Sequence, residues 1–162
     1  MGKTIKESKA EIAYVSEFFR WFSEEAVRIS GRFSMVPNGA TRLLTMKPPV
    51  GPCLMITPWN FPIAMGIRKI GPAIAAGCTM VVKPALLTPL SMLAIGGILA
   101  EAGLPDCVLN IVTTSTTGDV MEPLIRDPRL RKLKFTGSTD VRRLWFERMG
   151  YGSSCCSVGF PC

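Results

Sequence analysis

Residues 53–85 read CLMITPWNFPIAMGIRKIGPAIAAGCTMVVKPA. The stretch opens on a short apolar run from Cys53 to Thr57, passes through a loop bracketed by two prolines into helical spacing over Pro62 to Ala76, and returns to apolar, β-branched residues over Thr79 to Val82. Both candidate strands are apolar throughout rather than alternating, which is the pattern of a parallel sheet covered on both faces. The pattern continues downstream. A helix is expected over Ser91 to Ala102 with Gly103 ending it, a third strand over Val108 to Val112, a helix over Thr117 to Ile125, a fourth strand over Leu130 to Thr136, and a helix start at Ser138. The expected fold class is therefore α/β, a doubly wound parallel sheet.

Upstream, Ile12, Val15, Phe19, Phe22, Ala26 and Ile29 recur at spacings of three and four, so one amphipathic helix is expected from Ser8 to Ile29. Ser8 followed by Glu11 fits a capping box, and Gly31 is the expected stop. From Arg32 to Lys47 the Pro37-Asn38-Gly39 turn separates two short mixed runs, which predicts extended segments.

Composition narrows the chemistry. The 162 residues, 48% of them apolar, supply a domain's core. With no histidine in the sequence, Ser-His-Asp triads, Cys-His dyads and His-containing metal sites are excluded, and no metal site is expected. The net charge of +7 favours anionic partners without choosing among them. Much of the excess lies in Arg126, Arg129, Arg131, Lys132, Lys134, Arg142, Arg143 and Arg148, but no interleaved aromatics or nucleic-acid-binding motif accompany it, so no nucleic-acid partner is expected. The polar start MGKTIKESKAEI has no apolar signal core, and the most apolar stretch, Leu86 to Leu99, is too short and interrupted to span a membrane. A cytoplasmic protein with no membrane partner is expected. Cys53, Cys78 and Cys107 lie within or beside apolar strands and read as inert packing thiols.

Doubly wound sheets bind ligands where strand C-termini meet helix N-termini. The loops there are 57–62, 83–86, 113–118 and 135–140. Asn60, held stiffly between Pro58 and Pro62, can donate its amide to a developing oxyanion; it can equally cap the following helix, with Trp59 and Phe61 as core residues. Lys83 follows a buried strand, where its ammonium either meets an anion or snorkels to solvent. The Phe135-Thr136-Gly137-Ser138-Thr139 turn can cradle a phosphate with backbone N–H groups, as many helix starts can without binding anything.

Four phrases in this order, Thr57-Pro-Trp-Asn-Phe-Pro62, Ala75-Ala-Gly-Cys-Thr-Met-Val-Val-Lys-Pro-Ala85, Ala102-Gly-Leu-Pro105 and Phe135-Thr-Gly-Ser-Thr139, resemble the cofactor domain of the aldehyde dehydrogenase superfamily. Phe18-Phe-Arg-Trp-Phe-Ser-Glu-Glu-Ala26 and Arg68-Lys-Ile-Gly-Pro-Ala73 resemble its succinate-semialdehyde dehydrogenase branch. The resemblance implies a partial Rossmann-like dinucleotide-binding domain, NADP or NAD as cofactor, and oxidation of an aldehyde, succinic semialdehyde by branch, to its carboxylate through a cysteine thiohemiacetal. It implies that Asn60 donates to the oxyanion and Trp59 lines the nicotinamide end. Ile56, Thr57 and Pro58 would contact the cofactor through the same loop; Lys83, with Pro84, Ala85 and Leu86, would meet the adenosine ribose, and Gly137 and Ser138 the pyrophosphate. The intact family also implies a homo-oligomer.

The sequence departs from the family in places. Leu86 stands where NAD-using members commonly carry a ribose-binding Glu, and Arg142 where the family has a glycine. The motifs for the nucleophilic cysteine and the general-base glutamate are not in the chain, so no turnover is expected from it alone, and a non-catalytic dinucleotide-binding or subunit-interaction module is the alternative. The expected organisation is an N-terminal helix with extended segments over 1–49, a partial dinucleotide-binding region over 50–143, and an atypical tail over 144–162. In the tail Cys155, Cys156 and Cys162 crowd together in the manner of an out-of-frame translation. With an incomplete sheet, the apolar faces of the helices from Pro62 and Ser91 are expected to be exposed.

Overall fold

The β3 strand, Cys53–Ile56, is buried along its whole length, and its alternate side chains serve two separate cores. In a computed structural model describing residues 2–139, 141, 143 and 156–158, it is the central strand of a five-stranded sheet of order β5-β4-β3-β6-β7. The partners are β4 (Met80–Lys83), β5 (Leu109–Ile111), β6 (Lys132–Phe135) and β7 (Cys156–Val158), and every pairing is parallel.

Cys53 and Met55 point to a core shared with Ile67, Ile70, Met80, Val82 and Met92, whereas Leu54 and Ile56 point to one shared with Met121, Ile125, Leu133 and Phe135. That two-residue alternation is what a strand buried on both faces requires. The first core is closed by α1 (Ile5–Ala26), α2 (Ala64–Ala75) and α3 (Pro89–Glu101), the second by α4 (Thr117–Arg126). Ile67 and Ile70 are fully buried, each removal from water stabilising the fold by roughly 1.5–3 kcal/mol. The chain runs outward from β3 through β4 to β5 and then returns to the other side of β3 as β6. The β3/β6 boundary is therefore the point where the winding reverses, the position at whose C-terminal edge sheets of this kind take up ligands.

Several details differ from the sequence reading. The α1 capping box is built one turn early: the Thr4 hydroxyl accepts from the Glu7 N–H at 3.2 Å, and the Glu7 carboxylate accepts from the Thr4 N–H at 2.9 Å. Ser8 instead donates its hydroxyl to the Thr4 carbonyl at 3.0 Å, which leaves Glu11 free for a distant partner. The helix stops at Ala26, well before Gly31, because nothing packs on the following residues: Val27 is 86% exposed. The helix from Pro62 does not expose its apolar face, since α1 covers it. The α3 face is partly exposed as expected, with Leu90 at 77% and Ile98 at 58%. Cys107 is exposed in a turn with φ 65° rather than packed, unlike the buried Cys53 and Cys78.

The expected extended segments form a separate antiparallel hairpin, β1 (Arg32–Met35) with β2 (Arg42–Thr45), whose turn uses Gly39 at φ 70°. Arg142 and most of the tail over 144–162 lie outside the described residues; from the tail, β7 runs beside β6.

Candidate functional site

Strands β3, β4 and β6 end level with one another, Ile56 being in register with both Lys83 and Phe135. Beyond that row the Thr57 N–H donates to the Lys83 carbonyl and the Thr136 N–H to the Ile56 carbonyl, both at 3.1 Å. These bonds bring the loops 57–62, 83–86 and 136–138 to one edge of the sheet, with the loop after β5 further along it.

Asn60 is exposed, and its side-chain oxygen accepts from the Phe61 N–H at 3.2 Å. Its Nδ2 group has no partner among the described residues and keeps its donors available. Asn60 does not cap α2: the cap residue is Ile63, and the acceptor for its N–H is a carboxylate from α1. Trp59 and Phe61 are not core residues either, at 51% and 42% exposed. The loop thus presents an amide and two aromatic surfaces to solvent, above a half-buried Pro58 and a buried Thr57.

Lys83 is buried, at 6% exposure, and makes no hydrogen bond or ion pair among the described residues. Its stem is enclosed while Nζ opens to solvent at the sheet edge, the snorkelling arrangement, and burial of the side chain lowers its pKa. An ammonium held at that edge without a counter-charge is available to an anion or to a set of hydroxyl acceptors. Behind it Pro84 is buried and Ala85 half-buried, while Leu86 projects into solvent at 57% exposure. Two side-chain polar atoms are fully buried without partners among the described residues, the Thr57 and Thr88 hydroxyl oxygens. Gly137 has no room for a side chain, since a Cβ there would lie 2.5 Å from the Phe135 ring. Packing of the turn against Phe135 therefore requires glycine there. Ser138 is exposed beside it. Together an unpartnered cation, the unpartnered Thr57 hydroxyl beside it and a helix-leading Gly137-Ser138 turn suit a ligand rich in phosphate and hydroxyl groups, and a dinucleotide fits them.

Sequence reasoning passed over two residues here. Lys69 of α2, 3% exposed, donates from Nζ to the Ile56 carbonyl and, at 3.4 Å, to the Lys134 carbonyl, tying the helix to the strand ends beneath Thr57. Burial, then the neighbouring Lys134 and Arg68, lower its pKa to about 7. The clue was its spacing: Gly66, Lys69, Ile70 and Ala73 fall on one helical face, all buried. The second residue, Glu11, gave no such signal, because its partners lie 52 and 53 residues away.

Other surfaces offer less. An open apolar depression lined by Tyr14, Phe18, Trp21 and Phe22 runs along α1 and shares no residue with the sheet edge. Among the described residues no group of His, Cys, Asp and Glu could hold a metal, and no helix is long and apolar enough to cross a membrane.

Comparison with known proteins gives the family. A family profile described as "Aldehyde dehydrogenase family" matches residues 1–154. The succinate-semialdehyde dehydrogenase of Paenarthrobacter nicotinovorans is 55% identical over 141 residues, covering 87% of this chain and 31% of that protein. The NADP(+) succinate-semialdehyde dehydrogenase GabD of Escherichia coli (strain K12) is 48% identical over 147 residues, covering 91% of this chain and 30% of that protein. A crystal structure described as an E. coli NADP-dependent enzyme superposes with a TM-score of 0.94 at 44% identity, over 100% of this chain and 34% of that one. The chain thus spans about a third of the length of the curated relatives it matches.

Proposed function

Because the chain belongs to the aldehyde dehydrogenase family, we propose that its sheet edge is the dinucleotide site of an NADP- or NAD-dependent dehydrogenase acting on succinic semialdehyde. The observation that carries this reading is the enclosed Lys83 side chain, its ammonium without a partner among the described residues, at the edge that also presents Asn60. Lys83 would meet the adenosine ribose and its substituents; Ile56, Thr57, Pro58 and Trp59 would line the path toward the nicotinamide, and Gly137 and Ser138 would receive the pyrophosphate. The dinucleotide, when bound, supplies the hydride acceptor. Leu86 places no carboxylate at the mouth of the ribose subsite, which favours a 2′-phosphate over a bare ribose and agrees with the NADP(+) in the name of the E. coli relative.

Asn60 would donate from Nδ2 to the oxygen of an aldehyde undergoing attack, in a loop stiffened by Pro58 and Pro62. The attacking thiolate is not provided by Cys53, Cys78 or Cys107. They precede or begin β3, β4 and β5, at the opposite edge of the sheet, and burial together with Cys78 pushes the Cys53 thiol up to about 11. We therefore expect the chain by itself to bind dinucleotide without turning over aldehyde. Isothermal titration of the folded chain tests the reading: one molecule of NADP per chain supports it, and a Lys83→Met variant binding as tightly as the parent would refute it.

A second reading, association between subunits, is favoured by the hairpin, where Phe33 and Leu44 are 66% and 69% exposed. Burial of such side chains against another copy would complete a homo-oligomer of the family kind. Sedimentation velocity distinguishes this, a Phe33→Ser, Leu44→Ser variant shifting from oligomer to monomer if it holds. The buried free thiols suit a reducing compartment, and a cytoplasmic location is our reading.

A further inference from the structure

We propose that Glu11 is a positioning residue for Asn60, holding the 57–62 loop through a clamp made with Lys3 and Phe61. The inference rests on the reading of Asn60 as oxyanion donor and adds how that donor is held in place.

The helix α2 starts without any cap of its own: Ile63, the cap residue, has no side-chain acceptor, and the first turn has no acidic residue. The orphan N–H groups are met from outside. Glu11 Oε1 accepts from the Ile63 N–H at 3.0 Å and the Ala64 N–H at 2.9 Å, and the residue is buried at 7% exposure. A carboxylate facing a helix N-terminus is favourable for both the hydrogen bonds and the aligned peptide dipoles. Its other oxygen, Oε2, accepts from Lys3 Nζ, whose side chain is itself largely buried.

Lys3 joins this pair to the loop. Its ammonium sits 4.2 Å from the centroid of the Phe61 ring, a cation–π geometry. The Phe61 backbone is fixed on both sides, since its carbonyl accepts from the Met65 N–H at 3.0 Å and its N–H donates to Asn60 Oδ1 at 3.2 Å. That last bond orients the Asn60 amide and leaves Nδ2 to donate elsewhere. The path from α1 to Asn60 thus runs through Glu11, Lys3 and Phe61, with the start of α2 as a second anchor. Neither Lys3 nor Glu11 would be in reach of these partners in a loop that had moved.

The test uses the full chain labelled with 15N. Side-chain relaxation at Asn60 Nδ2, amide exchange at Ile63 and Ala64, and the urea midpoint are measured for the parent, Glu11→Ala, Glu11→Gln and Lys3→Met. Glu17→Ala is the control, because it breaks the exposed Glu17–Arg20 ion pair of α1, which shares no residue with the clamp. Glu11→Ala is expected to speed exchange at Ile63 and Ala64 about tenfold and to make the Asn60 amide mobile. Glu11→Gln keeps an acceptor for the two N–H groups and should restore most of their protection. Lys3→Met should mobilise Asn60 while leaving Ile63 and Ala64 protected. If Glu11→Ala does not fold, the Glu11→Gln and Lys3→Met pair decides. An Asn60 amide as ordered in Glu11→Ala or Lys3→Met as in the parent overturns the clamp, and so does an equal loss of order in Glu17→Ala. An NADP titration of the parent keeps the two claims apart: absence of binding removes the cofactor reading, while the response of Asn60 to Glu11→Ala still supports the clamp.

Discussion

Replacing Lys69 by methionine should remove a pH dependence from the stability of the fold. Burial first, and then Lys134 and Arg68, lower the Lys69 amine from 10.5 to about 7 in the folded chain. Between those values the unfolded chain carries a proton that the folded chain has released, so the folded state gains stability as pH rises. The gain is absent below pH 7, where both states are protonated, and complete above 10.5, where neither is. At about 1.4 kcal/mol per pH unit, the parent should gain about 2 kcal/mol between pH 7 and 9 from this group. Lys83 and Lys134 are also lowered by burial and add to the slope of both proteins, so the difference between parent and variant isolates Lys69. Methionine preserves the volume against Ile56 and Lys134 but cannot donate to their carbonyls, which shifts the variant's stability by an amount that does not vary with pH. The assay is urea unfolding followed by far-ultraviolet circular dichroism at pH 7, 8 and 9. Parallel pH profiles for parent and Lys69→Met would refute the reasoning, since they would mean that the ammonium stays charged in the folded state.

Other outcomes follow from the same edge and its opposite. Gly137→Ala should destabilise the fold by about 1–3 kcal/mol, because its Cβ would lie 2.5 Å from the buried Phe135 ring, and should weaken NADP binding more than thermal stability alone explains. In a variant with Cys155, Cys156 and Cys162 changed to serine, a thiol reagent at pH 8 should label Cys107 within seconds and Cys53 and Cys78 only at the rate of unfolding. Purified chain mixed with NADP and succinic semialdehyde should give no NADPH above a control lacking every cysteine; clear turnover would show that a thiol reaches Asn60.

The sheet and the loops at its C-terminal edge were legible because their signals are local. The Cys53 to Ile56 and Met80 to Lys83 runs are apolar without alternation, and only burial on both faces accommodates that. The loop prolines around Asn60, and Lys83 directly after a strand, also mark the edge from sequence alone. Local signals misled where two were equally good. Thr4 with Glu7 and Ser8 with Glu11 both spell a capping box, and the contact of Glu11 with α2, invisible from its own neighbourhood, decides between them. The same long-range contact explains why Asn60 was open to reading as a helix cap: α2 needs an acceptor, but it comes from α1. Cys107 was misread because its apolar neighbours suggest a strand, whereas its backbone turns at φ 65°. The chemistry was read from spacing and family likeness together; the burial of Lys83 without a partner came from the fold.

The central claim is that the C-terminal edge of the sheet, at the boundary of β3 and β6, is the dinucleotide site. The most direct measurement is the 15N–1H correlation spectrum of the chain titrated with NADP. Saturable shifts concentrated at Thr57, Asn60, Lys83, Ala85 and Gly137 are predicted, with the amides of Cys53 and Cys78 unmoved. Shifts gathered instead along Tyr14, Phe18 and Trp21 of α1, or none at all from a folded chain, would contradict it.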